Sequence, residues 1–111
     1  MNPTELHSYV KNYNWDDGPE RIFELLEEPE IDRATALLAY WLVQGPWHSF
    51  QQESYGRHPY AEQVAALQDR LLGGFYARAE LTFSPTEDLG VSKVQLLKLR
   101  RARIPDSLLA P

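Results

Sequence analysis

The stretch YNWDDGPE, Tyr13 to Glu20, brings aromatic rings, an asparagine, adjacent carboxylates and a Gly-Pro corner close together. Carboxylates beside a glycine raise the chemistry of a calcium loop, which needs oxygen ligands at positions 1, 3 and 5, glycine at 6 and glutamate at 12. With Gly18 at position 6, Glu24 falls at 12, but Tyr13 and Trp15 fall at 1 and 3 and supply no carboxylate. Starting the loop at Asn12 puts Phe23 at position 12. Neither register works, so no metal is expected here. Asp16 and Asp17 are chain neighbours and point apart in most backbone conformations, whereas glycoside hydrolysis needs two carboxyls roughly 5–9.5 Å apart across a bond. The corner then reads as structure: Asp17 caps the next helix, Gly18 permits the turn, Trp15 packs beside the first helix, and Asp16 looks outward.

His7, His48 and His58 are far apart and form no H-E-x-x-H or similar ligand pair. Gly73 and Gly74 lack the lysine and hydroxyl residue of a phosphate-binding loop. There is no cysteine, which removes disulfides, thiolate metal sites and thiol catalysis. No cofactor is expected and no catalytic residue is assigned.

Charge is more informative. The formal net charge is −5, which disfavours nucleic acid because phosphates repel it. Residues 1–32 hold nine acids against two bases, while residues 90–111 hold five bases against one acid. Asp16, Glu20, Glu24, Glu27, Glu28 and Glu30 are candidates for binding a cationic partner. Glu27 and Glu28 fall in the expected last turn of a helix, where the dipole disfavours negative charge by about 0.3–1 kcal/mol. Trp47, Tyr55 and Arg57 lie in a polar connector and are of the types that anchor protein interfaces.

The elements that must position these residues are helical. The chain has 111 residues, enough for one domain over 1–111 with its own core. Asn2, Pro3 and Glu5 start a first helix, whose Leu6, Tyr9, Val10 and Tyr13 share a face. Asp17 and Glu20 have capping-box spacing for a second helix, with Ile22, Phe23 and Leu26 inward and Pro29 as its end. Asp32 caps a third, in which only Thr35 is polar between Ala34 and Val43, with Gly45 as its stop. A helix apolar all round belongs at the centre of a bundle. A fourth begins near Pro59 and carries Tyr60, Val64, Leu67 and Leu71, with Leu72 and Phe75 alongside. Residues 79–84 are expected to be extended, packing Leu81 and Phe83 on the core. Ser92 and Gln95 box a fifth helix, with Val94, Leu96, Leu97 and Leu99 inward, and DSLLAP is a short tail after Pro105. The expected fold is an all-α irregular bundle of about five helices around a central apolar one.

Four segments, YNWDDG, DRATALLAYW, GGFYARAELTFSP and RIPDSLLAP, together resemble a bacterial family known as domain of unknown function 4274. The likeness spans nearly the whole chain. Such relatives often carry a glycine after the aspartate that opens the third helix, where this chain has Arg33. The resemblance implies an all-α domain and an association with toxin–immunity loci, and it carries over no catalytic residue.

With no signal peptide and no apolar run long enough to span a bilayer, the expectation is a small cytoplasmic protein-binding domain. It would be an immunity-type inhibitor whose acidic N-terminal face covers a basic surface of a cognate toxin. Two alternatives are kept. One is a small enzyme or ligand-binding domain with a site around Trp15, Asp16, His48 and Arg57. The other is a homo-oligomeric module, a homodimer joining the acidic face to the basic fifth helix.

Overall fold

The computed structural model describes residues 2–46 and 60–109. Its helices are α1 Pro3–Lys11, α2 Glu20–Leu25, α3 Arg33–Leu42, α4 Ala61–Leu72, α5 Pro85–Leu89, α6 Lys93–Arg101 and α7 Asp106–Leu109, with a 3-10 turn at Trp15–Asp17 between α1 and α2. Among the described residues there is no strand, and the fold is all-α. No helix among them is long and apolar enough to cross a membrane.

Eight of the ten residues of α3 are buried, so it is the central rod. It packs against α1 and α4, and α4 in turn packs against α7. Leu37, Leu38 and Tyr40 are fully buried, each apolar side chain stabilising the fold by about 1.5–3 kcal/mol. Thr35, the polar residue on this rod, shares a hydrogen bond with His7 Nδ1 of α1 at 2.9 Å. Burial lowers the pKa of His7, opposed by the carboxylates of Asp88 and Asp32.

Caps set the starts. Asn2 accepts from Glu5 N at 2.8 Å and opens α1. Asp32 Oδ1 accepts from Ala34 N at 2.9 Å and opens α3. Ser92 and Gln95 form a full capping box on α6. Each satisfies amide groups that the first helical turn leaves without partners.

Several expectations need correction. The third helix ends at Leu42, not Gly45, and the left-handed residue after it is Gln44, with φ 62°. Gly45 matters for space instead, because a Cβ there would lie 2.2 Å from the Tyr40 ring. Among the described residues two short helices join the expected five. α5 is capped by Ser84, has Pro85 in its first turn and ends at Gly90 in the left-handed region. α7 occupies the expected tail, with Leu108 and Leu109 buried. The Trp41 indole N–H donates to Leu108 O at 2.9 Å, and the Arg33 guanidinium donates to Ser107 O at 2.6 Å. The tail is thereby held to the central helix.

The fourth helix starts at Ala61, and Leu72 at its end is 45 % exposed. On α6, Val94 and Leu97 face outward, at 63 % and 45 % exposure. Only Leu99 of that helix is buried, with Leu96 partly so. At 3.6 residues per turn the pair 96/99 and the pair 94/97 point to opposite sides of one helix. All four cannot face one core.

Residues 75–84 are neither helix nor strand, with a bend at Leu81 inside the stretch expected to be extended. Phe83 is buried and Leu81 packs partly against the core. What holds this segment is Asp32, 2 % exposed. Its Oδ2 accepts from Glu80 N at 2.7 Å and Leu81 N at 3.1 Å, while Arg33 N donates to Arg78 O at 2.8 Å. Tyr76, buried, donates its hydroxyl to Leu26 O, and burial raises its pKa.

Candidate functional site

The corner at residues 13–20 is built by α1 and the turn that follows it. Tyr13 stands edge-on to Trp15, with ring centroids 5.2 Å apart. Its hydroxyl donates to Gly18 O at 2.6 Å. Asn14 Oδ1 accepts from Asp16 N at 3.1 Å and caps the 3-10 turn. Gly18 has φ +90°, which strains any L side chain, and a Cβ there would meet Glu20 Oε2 at 2.3 Å.

Asp17 does not cap α2. Pro19 occupies the cap position and no side chain bonds there. The reason is local: residues 15–17 curl into the 3-10 turn, so Asp17 lies inside a turn and not in the extended conformation that a cap requires. Asp17 is therefore exposed like Asp16. Trp15 is half-buried and packs against the core, as expected.

Helix α2 is shorter than its sequence pattern suggested, ending at Leu25. Glu27 and Glu28 consequently lie in the turn after it, not in its last turn. Those turn residues still bond back, Glu27 N to Glu24 O and Glu28 N to Leu25 O, at 3.2 Å each. Glu20, Glu24 and Glu27 thus follow the i, i+4, i+7 spacing of one helical side.

All six predicted acids, Asp16, Glu20, Glu24, Glu27, Glu28 and Glu30, are exposed. Among the described residues none of them makes an ion pair, the pair present being Arg100 with Asp106 at 3.2 Å. Depressions lie beside them among the described residues. Trp15 and Asp16 line one of about 390 Å³, with Leu42 and Tyr60. Glu27 lines one of about 250 Å³ between α2 and α4, with Phe23, Glu62 and Ala66. Glu28 and Glu30 line one of about 340 Å³ beside α1, over Leu6, Leu25 and Ile31. Each combines apolar walls with a carboxylate; Arg70 also lines the one between α2 and α4, and Arg78 the one beside α1.

Trp47, His48, Tyr55 and Arg57 lie outside the described residues. Of the alternative enzyme site, Trp15 and Asp16 are therefore the two members the structure places, and they share one depression. Among the described residues no group of three or more His, Asp or Glu is arranged to hold a metal ion. The residue that sequence reasoning undervalued is Asp32. Its cap position was legible, but its grip on Glu80 and Leu81 spans nearly fifty residues and leaves no local signal.

In comparisons with known proteins, the model of one family, described as Domain of unknown function (DUF4274), matches residues 1–72. That range covers α1 to α4, the corner and all six exposed acids. It is shorter than the likeness read from the sequence, because GGFYARAELTFSP and RIPDSLLAP lie beyond Leu72. No curated protein and no solved structure matches.

Proposed function

The chain belongs to the DUF4274 family, and from that premise and the disposition of its acids we propose that it is a cytoplasmic protein-binding domain. It acts as an immunity-type inhibitor, covering a basic surface of a cognate bacterial toxin. The supporting observation is that Asp16, Glu20, Glu24, Glu27, Glu28 and Glu30 are exposed and none is ion-paired among the described residues. Carboxylates already committed to internal pairs would offer little field to a partner. Unpaired ones steer a cationic surface and raise the association rate, an effect that salt screens.

The apolar walls beside these acids add to the reading. A lysine or arginine side chain can lay its methylenes on Leu6, Leu25 and Ile31 while its charge reaches Glu28 and Glu30, in a depression that Arg78 also lines. Blocking a cationic active site needs charge complementarity and a few such anchors, and it requires no catalytic group on the inhibitor.

The test is a pull-down with the product of the neighbouring gene, followed by association kinetics. Reversing Glu20, Glu24 and Glu27 to lysine should slow association by about tenfold or more at low salt and flatten its salt dependence. An unchanged rate and affinity removes the acidic surface from the mechanism.

A further inference from the structure

The surface of α6 has no role in that reading. Val94, Leu97, Lys98 and Arg101 follow the spacing i, i+3, i+4, i+7, so they share one side of the helix. Val94 and Leu97 are exposed apolar side chains on this side, and the two cations, also exposed, follow them toward the C-terminal end of the helix. Among the described residues neither Lys98 nor Arg101 makes an ion pair, since the pair on this helix uses Arg100. An exposed apolar pair followed on the same helix side by two unpaired cations has the composition of an interface anchor, not of a solvated helix side.

The same chain carries a complementary surface. The depression between α2 and α4 has Phe23 and Ala66 as its apolar walls and Glu27 and Glu62 as its acids. Glu20 and Glu24 extend the negative charge along α2. Arg70 also lines this depression, but its guanidinium lies 5.6 Å over the Phe75 ring, and its Nη1 reaches Leu26 O at 3.5 Å. Glu27 and Glu62 are both exposed. Within one molecule the two surfaces are not joined: none of these acids is paired with a base of α6 among the described residues.

We propose that the chain self-associates by seating the Val94–Leu97–Lys98–Arg101 side of α6 in the α2–α4 depression of a second copy. Leu97 and Val94 meet Phe23 and Ala66, and Lys98 and Arg101 meet Glu27 and Glu62. Lys98 and Arg101 stand one helical turn apart, about 5–6 Å between Cβ atoms, and Glu20 and Glu24 extend the negative charge beyond the depression. A nine-residue helix is only about 13.5 Å long, so the contact is smaller than the roughly 800 Å² per partner of a stable interface. Association is therefore weak, concentration-dependent and sensitive to salt. It draws on part of the acidic surface assigned above, so a second copy and a basic partner compete for Glu27.

Sedimentation equilibrium of the full chain tests this. At low salt and up to about 1 mM protein, the weight-average mass should rise above the 12.8 kDa monomer. At about 0.5 M salt, where the screening length is only a few ångströms, it should fall back. The double change Lys98→Glu with Arg101→Glu should weaken self-association at least tenfold. Mixing that variant with one carrying Glu27→Lys and Glu62→Lys should restore a mixed complex, which loss of folding would not do. A monomer mass throughout at low salt overturns the proposal. So does a Lys98→Glu/Arg101→Glu variant that associates like the parent, or a charge-swapped mixture that fails to associate. The α6 changes leave the acids intact, so partner inhibition and self-association fail or survive separately.

Discussion

Helices α3 and α6 are nearly equal in length and are capped alike, each by a short polar side chain that accepts from a first-turn amide. Their surroundings are opposite. α3 buries eight of ten residues, whereas α6 buries one of nine. A cap decides where a helix begins, because it satisfies amides within three residues of itself. It says nothing about which side meets the core. On α3 that question hardly arises, since nearly every side is apolar. On α6 it decides everything, since two apolar pairs compete and only Leu96 and Leu99 find the core.

The sharpest way to probe this contrast is Asp32→Ala. It removes a cap and also leaves Glu80 N and Leu81 N without their acceptor. The sum of a lost cap and unpaired amides is about 3–5 kcal/mol. Urea unfolding measures it, and a loss near that of a simple cap would show that the 79–84 segment does not depend on Asp32. Ser92→Ala on α6 comes next, at about 1 kcal/mol, because its cap is exposed and holds no distant segment. If it cost as much as Asp32→Ala, the distinction between a buried and a solvated cap would be wrong. The smallest effect belongs to Val94→Ser, within about 0.5 kcal/mol for the monomer. A larger destabilisation in dilute, high-salt solution would mean that this side of α6 is packed after all.

The exposure of the six candidate acids was legible: it followed from their charge, since unpaired carboxylates stay in water. Trp15 packed against the core as its size suggested. The role of Asp17 was misread because the D-x-x-E spacing matches a capping box, while the Asn14 cap and the 3-10 turn claim that stretch of backbone first. Val94 and Leu97 were misplaced because hydrophobicity alone does not rank two opposite sides. α5 escaped notice although its signals were present: Ser84, then Pro85, then Glu87, with Gly90 after it.

The starts of α1, α3 and α6, the central position of α3 and the unequal distribution of charge were decided by the order of residues. Those features rest on bonds within three or four residues, or on an apolar run that leaves no choice of orientation. Tertiary structure decided the rest: the hold of Asp32 on Glu80, the docking of α7 by Trp41 onto Leu108, and the outward turn of Val94 and Leu97. Partners 48 and 67 residues apart meet only after the chain has packed. No local spacing encodes which amide will be waiting there.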